Sequence, residues 1–122
     1  LYQKWEYNNG FEIPHEALAL KKFLECVAQI DSFAIGLMEN NNLIAFNISE
    51  RDNPKQVNCL FAKADIKYSG IYSFLMNKTA NFMKGLGIED MNYEQDLGIY
   101  NLRKSKESFI PIGFLKKYQC FV

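Results

Sequence analysis

The sequence contains no apolar run approaching the ~20 residues of a membrane span, and no basic start followed by an apolar middle that would read as a secretory leader. It has one histidine, His15, with no serine or cysteine at a spacing that suggests a nucleophilic triad. Its three cysteines, Cys26, Cys59 and Cys120, are odd in number and far apart. No C-x-x-C pair or Cys/His cluster accompanies them, so no metal site is expected. The thiols suit a reducing, cytoplasmic setting, as small apolar groups. Charge of one sign is also missing overall, with 14 basic against 14 acidic side chains. That balance excludes a globally basic nucleic-acid binder. The polypeptide starts at Leu1 rather than Met, which is expected of a piece of something longer.

What is present is a chain of 122 residues, 48% hydrophobic, enough for one domain over residues 1–122 with its own core. The charge is unevenly spread. Residues 1–97 carry 9 basic and 13 acidic side chains, whereas residues 98–122 carry 5 basic and only Glu107 on the acidic side. The basic end is a candidate docking surface for an anion, or a solvated face.

The first ten residues, with Tyr2, Trp5 and Tyr7 among polar neighbours, show no period and read as an edge strand or a docking tail. Pro14 suits the first position of a helix, where its missing N–H costs nothing. Leu20, Phe23, Leu24 and Val27 follow at helical spacing, so a helix is predicted over 14–30. Phe33, Ile35 and Leu37 alternate, and Asn40-Asn41-Asn42 is turn chemistry. Leu43 to Ser49 makes a second strand, Asp52-Asn53-Pro54 a second turn, and Val57 to about Ala64 a third strand. Ser69 can cap a helix whose predicted buried side is Ile71, Phe74, Leu75, Lys78 and Phe82, and which stops at Gly85-Leu86-Gly87. Ile88 to Tyr93 reads as a fourth strand, Gly98 to Phe109 as a helix halted by Pro111, and Phe114 to Val122 as a last strand. The fold class is α+β, a mixed sheet in the order α-βββ-α-β-α-β. The third and fourth strands are parallel, because a crossover helix joins them.

Chemistry concentrates in Asn92-Tyr93-Glu94-Gln95-Asp96-Leu97-Gly98 and the helix after it. Glu94 and Asp96 are two apart, which in extended chain puts both carboxylates on one side. Arg103 and Lys106 are three apart and share a helical face. Acids facing bases can bind a zwitterion; they can equally form an internal salt-bridge cluster that fixes the helix on the sheet. Ser69 and Gly70 open a helix after a strand, where backbone N–H groups can hold an anion, although capping accounts for the same residues. Tyr72, Tyr93, Tyr100 and Tyr118 can line a pocket or serve as core aromatics.

The order of elements is similar to the GNAT acyltransferase fold with its first strand missing or supplied from elsewhere. Residues 92–98, Leu102-Arg103-Lys104-Ser105-Lys106, Pro111 and Lys117-Tyr118 resemble the signature of the family containing the C-terminal domain of phosphatidylglycerol lysyltransferase. The resemblance implies the C-terminal lobe of a protein with two tandem GNAT-like lobes, so the N-terminal lobe becomes an expected partner. It implies transfer of an aminoacyl group from aminoacyl-tRNA to a phospholipid or amine acceptor. By the same carry-over, Arg103 and Lys106 would hold a phosphate or carboxylate. Glu94 and Asp96 would hold an α-ammonium or relay a proton, and Tyr118 would donate a hydroxyl. No cofactor is expected. Acetyl-CoA, the donor of ordinary GNAT enzymes, is disfavoured because Ile66-Lys67-Tyr68-Ser69-Gly70-Ile71 departs from their glycine-rich phosphate loop. A non-catalytic lobe that stabilises or regulates a partner lobe is the alternative, and a plain acetyl-CoA-dependent N-acetyltransferase is the third reading.

Overall fold

The computed structural model describes residues 1–9, 13 and 15–121. The helix start expected at Pro14 and the last residue of the expected final strand, Val122, lie outside the described residues. The elements run α1 (Tyr2–Asn9), α2 (Glu16–Cys26), a 3-10 turn (Val27–Gln29), β1 (Ser32–Glu39), β2 (Asn42–Asn53), β3 (Gln56–Ala64), α3 (Ile71–Gly85), β4 (Asp90–Asn92) and α4 (Tyr100–Glu107). The sheet order is β1-β2-β3-β4. The predicted meander, crossover helix and parallel fourth strand are all there, with β3 antiparallel to β2 and parallel to β4.

Local chemistry explains the hairpin. Glu39 pairs with Asn42, leaving Asn40 and Asn41 as a two-residue loop with φ of 47° and 62°. Two positive φ values define a type I′ turn, whose twist matches the strands and which asparagine tolerates. At the next turn Asn53 pairs with Gln56, and the Asn53 side chain accepts a hydrogen bond from the Lys55 N–H at 3.0 Å.

Alternation along β3 covers the sheet on both faces. Ala64 packs with Ala45 under Ile71 and Leu75 of α3, and Val57 packs with Met83 and Ile88. The neighbouring Phe61 meets Phe23 of α2 edge-on at 5.9 Å, and the Lys63 ammonium lies 4.0 Å from the Trp5 ring of α1. The register steps from Ile48↔Phe61 to Ser49↔Cys59, so Leu60 is an extra residue on β3, a bulge. Beneath α3 the core is partly polar. Asn47 donates to the Cys59 sulfur at 2.8 Å, and Ser49 donates to the Asn47 carbonyl at 2.8 Å.

Several expectations need correction. Residues 2–9 are a helix, not an edge strand or tail. Among its described side chains only Trp5 is buried, at 7% exposure, so a helical period had little to show in the sequence. The buried stripe of α3 is Ile71, Leu75, Met76, Thr79 and Met83. Phe74 and Phe82 are half-exposed, and Phe82 instead reaches Phe33 of β1, edge-on at 6.2 Å. Ser69 does not cap α3. Gly70 holds the cap position at φ 72°, with no side-chain cap bond. The fourth strand is only three residues long, because its ladder runs no further than Gln56–Asn58 of β3. Residues 114–121 form no strand; β-prone residues make one only where a neighbouring strand accepts their backbone.

Leu75 of α3 is fully buried against Ala45 of β2 and Ala64 of β3. Leu75→Ala is expected to destabilise the fold by about 2–5 kcal/mol. Chemical denaturation of the two proteins, with unchanged m-value, is the check.

Candidate functional site

The site is built where β4 ends. Asn92, its last residue, donates to the Asn58 side-chain carbonyl at 3.1 Å, and its own side-chain oxygen Oδ1 accepts the Glu94 N–H at 3.0 Å. The chain then turns. Glu94 has φ 54°, Leu97 φ 54° and Gly98 φ 73°. The Asp96 carboxylate accepts the Gly98 N–H at 2.8 Å, and its main-chain carbonyl accepts the Ile99 N–H at 2.9 Å. This local bonding is what aspartate supplies ahead of a helix, and α4 follows at Tyr100.

The turn corrects one premise of the sequence reading. Glu94 and Asp96 are not in extended chain, so their spacing does not place them side by side, and they go to different partners. Asp96 pairs with Arg103 Nε. Glu94 pairs with Lys117 Nζ at 2.6 Å. Lys106 donates to the main-chain carbonyls of Tyr93 and Gln95, the second at 2.8 Å, and its ammonium sits 4.6 Å from the Tyr93 ring. Phe109 closes over Tyr93 edge-on at 5.9 Å. Arg103 and Lys106 thus clasp the same loop from α4, and all four predicted charged residues meet around residues 93–96.

The remaining candidates lie elsewhere. Ser69 and Gly70 are exposed at the start of α3, where the Ile71 N–H is already spent on the Tyr68 carbonyl at 3.3 Å. Tyr118 is 83% exposed in the C-terminal segment. Lys117, as the partner of Glu94, was absent from the predicted site; the adjacent Lys116-Lys117 pair in a strand-like segment gave no hint of its target. Asp65, buried at the end of β3 and bonded to Lys4 of α1 at 2.6 Å, was also missed. A groove of about 520 Å³ between α1 and α2, lined by Tyr2, Glu6, Leu20, Leu24 and Glu25 among others, contains none of the loop residues. No group of three or more metal-ligating side chains occurs among the described residues.

The electrostatics follow the contacts. The Arg103 hydrogen bond, then the Gly98 N–H, holds the Asp96 carboxyl below the usual range, and Asp96 in turn raises Arg103. Burial lowers Lys106 and raises the Tyr93 hydroxyl. Burial also pushes the Cys59 thiol up to about 11, against the Asn47 hydrogen bond. In chemical terms the arrangement offers a partly desolvated ammonium, two carboxylates at a strand end and a guanidinium.

Residues 15–121 match the family described as phosphatidylglycerol lysyltransferase, C-terminal. The chain belongs to this family. The match is far wider than the motif at residues 92–118 that first suggested it. No curated protein matches the chain. Among solved structures, a conserved protein of unknown function from Bacteroides thetaiotaomicron VPI-5482 is similar at 26% identity and TM-score 0.79. The similarity covers 92% of this chain but only 39% of that one. A possible acetyltransferase from Clostridium difficile 630 matches at 16% identity and TM-score 0.70, over 99% of this chain and 86% of that one. An aminoglycoside acetyltransferase from an uncultured soil metagenomic sample matches at 18% identity and TM-score 0.62, over 100% and 84%. The fold is therefore that of the GNAT acetyltransferases, in a single lobe, and family and fold together support an acyltransferase-type domain. No helix among the described residues is long and apolar enough to cross a membrane.

Two measurements check this site. Because the folded Asp96 carboxyl lies below its unfolded value of about 3.9, its contribution to stability is complete above that pH and is lost as pH falls through the folded value. Arg103→Gln is expected to return the Asp96 titration, followed by carboxyl NMR, toward the ordinary range. In native protein a thiol reagent is expected to modify exposed Cys120 quickly and Cys59 only on unfolding.

Proposed function

We propose that this chain is the C-terminal lobe of a longer two-lobe protein and moves an aminoacyl group from aminoacyl-tRNA to a phospholipid or amine acceptor, a reaction that belongs in the cytoplasm. The observation that carries the reading is Lys106, whose ammonium is held against two main-chain carbonyls at the mouth of the β4 turn. Two of its three N–H groups are used there, and the third is the one a ligand oxygen would take. The acceptor hydroxyl or amine attacks the ester carbonyl carbon, the bond to the ribose oxygen breaks, and the proton lost by the acceptor leaves with that oxygen. Lys106 would oppose the negative charge that develops on the carbonyl oxygen. Arg103 would bind a phosphate, while Glu94 and Asp96 would hold the α-ammonium or relay the proton, and Tyr118 would supply a hydroxyl.

The ion pairs seen now do not oppose this. Both involve partly exposed side chains, and pairs of that kind add little to stability. A charged substrate can replace either partner. Coenzyme A is less well served, since the loop before α3 has one glycine and has already committed its Ile71 N–H. A second reading is favoured by the pairing itself. With Asp96 on Arg103 and Glu94 on Lys117, the cluster can act as a clasp in a lobe that supports a catalytic partner.

Arg103→Ala and Lys106→Ala in the full-length protein separate the two. The transferase reading expects tRNA-dependent transfer to lipid or peptide to fall, by roughly 10²-fold for Lys106, with little change in melting temperature. Lower melting temperature with unchanged transfer per folded molecule would support the clasp. Tight binding of coenzyme A in calorimetry would instead support an acetyl-CoA-dependent enzyme.

A further inference from the structure

The sheet has an open side. β1 lies at its edge, paired with β2 and, among the described residues, with no other strand. The Arg51 N–H donates to the Asp31 carbonyl at 2.8 Å, which fixes the direction of the backbone groups along β1. Antiparallel pairing alternates, so Phe33, Ile35 and Leu37 turn their N–H and C=O groups toward β2, while Ser32, Ala34 and Gly36 turn theirs outward. Edge strands are commonly blunted by a charge or a proline. From Ser32 to Met38 there is neither. The acids at the two ends, Asp31 and Glu39, are taken by Arg51 and by the Tyr68 hydroxyl. The helix above this edge is only half covered as well. Phe74, Lys78 and Phe82 lie in one row of α3. Phe82 stands on the β1 side, against Phe33, yet stays 47% exposed. Phe74 is 54% exposed, with the Lys78 ammonium 5.1 Å from its ring.

A strand laid along β1 takes up the outward backbone groups and shields that row. The residues of β1 say which strand fits. Reversed about Ile35, the stretch matches itself, with Phe33 opposite Leu37, Ala34 opposite Gly36 and Ser32 opposite Met38. Ala34 and Gly36 both face outward, so this register brings N–H to C=O. Phe33, Ile35 and Leu37 lie on the α3 face, packed toward the two core clusters, and paired copies extend that apolar layer across the joint. On the opposite face Ala34 and Gly36 are small and exposed, so nothing there obstructs the approach. We propose that two copies of this chain pair β1 against β1, antiparallel about a two-fold axis at Ile35, and so join two four-stranded sheets into one. The proposal goes beyond the transferase reading and does not depend on it. The β4 turn lies at the other edge of the sheet, so pairing through β1 leaves that site open.

The test is light scattering of the full chain over a range of concentrations, with amide hydrogen exchange followed at the same concentrations. A mass twice that of one chain is expected, falling to one chain on dilution, with the Ala34 and Gly36 amides protected only in the dimer. Neither amide faces β2, so the fold of a single chain gives them little protection. Ala34→Pro removes an outward N–H and no bond to β2. It should weaken the dimer roughly thirtyfold, because the two-fold axis doubles the loss of one hydrogen bond. Ala34→Lys keeps the N–H but charges the edge, and should weaken the dimer too. Circular dichroism confirms that the variants fold, and the exchange of the unaltered chain decides the matter if the proline variant does not. A single-chain mass at every concentration, with both amides exchanging freely, would overturn the proposal. A dimer that survives Ala34→Pro would move the interface to another face and overturn it likewise. Protection of the two amides in a single-chain particle, unchanged by dilution, would overturn it in favour of a strand supplied from elsewhere in the same polypeptide.

Discussion

Ala64 of β3 lies under Leu75 of α3, while its neighbour Lys63 lies under Trp5 of α1 and pairs with Glu16 of α2 at 2.9 Å. Both faces of this one strand are covered, and the other elements are positioned by it. A buried ammonium is stable only when its charge is answered, and here a carboxylate from α2 and the face of an indole from α1 answer it together. Asp65, two residues on, repeats the device through Lys4. The N-terminal helices thus carry the partners of both buried charges, beside the apolar contact of Phe23 with Phe61.

The other edge of β3 serves the site. Pairing with β4 stops at Asn58 and Asn92, and the two asparagines bond to each other where it stops. Beyond that point the chain turns through left-handed positions, with Asp96 tying the turn to α4. Charged groups gather there because the turn delivers carboxylates and carbonyls to one place while α4 presents Arg103 and Lys106 to them. The individual ion pairs are weak, which is compatible with the proposal that a charged ligand takes their place.

Much of this was legible in the residues. The hairpin turn follows from three asparagines, the parallel fourth strand from a crossover helix, and the gathering of Glu94, Asp96, Arg103 and Lys106 from a motif. Other features were hidden for definable reasons. Phe74 and Phe82 fit a helical stripe as well as Met76, Thr79 and Met83 do, and only the angle at which α3 lies on the sheet chooses between them. Helix α1 shows no period because a single buried tryptophan cannot make one. The pairing of Glu94 with Lys117 joins residues that no local rule connects.

Local backbone preference and apolar periodicity act over a few residues, so the amino-acid order alone determined the helix after Pro14, the three-stranded meander with its asparagine turn, the crossover helix with its parallel fourth strand, the helix after Gly98 and the family resemblance. The tertiary structure alone decided which face of α3 is buried, that Tyr2–Asn9 is helical, and how the charges of the β4 turn are matched. It also left residues 114–121 without a strand. These choices depend on contacts between distant segments, since a side chain is buried, or a backbone N–H satisfied, only by whatever the fold brings opposite it.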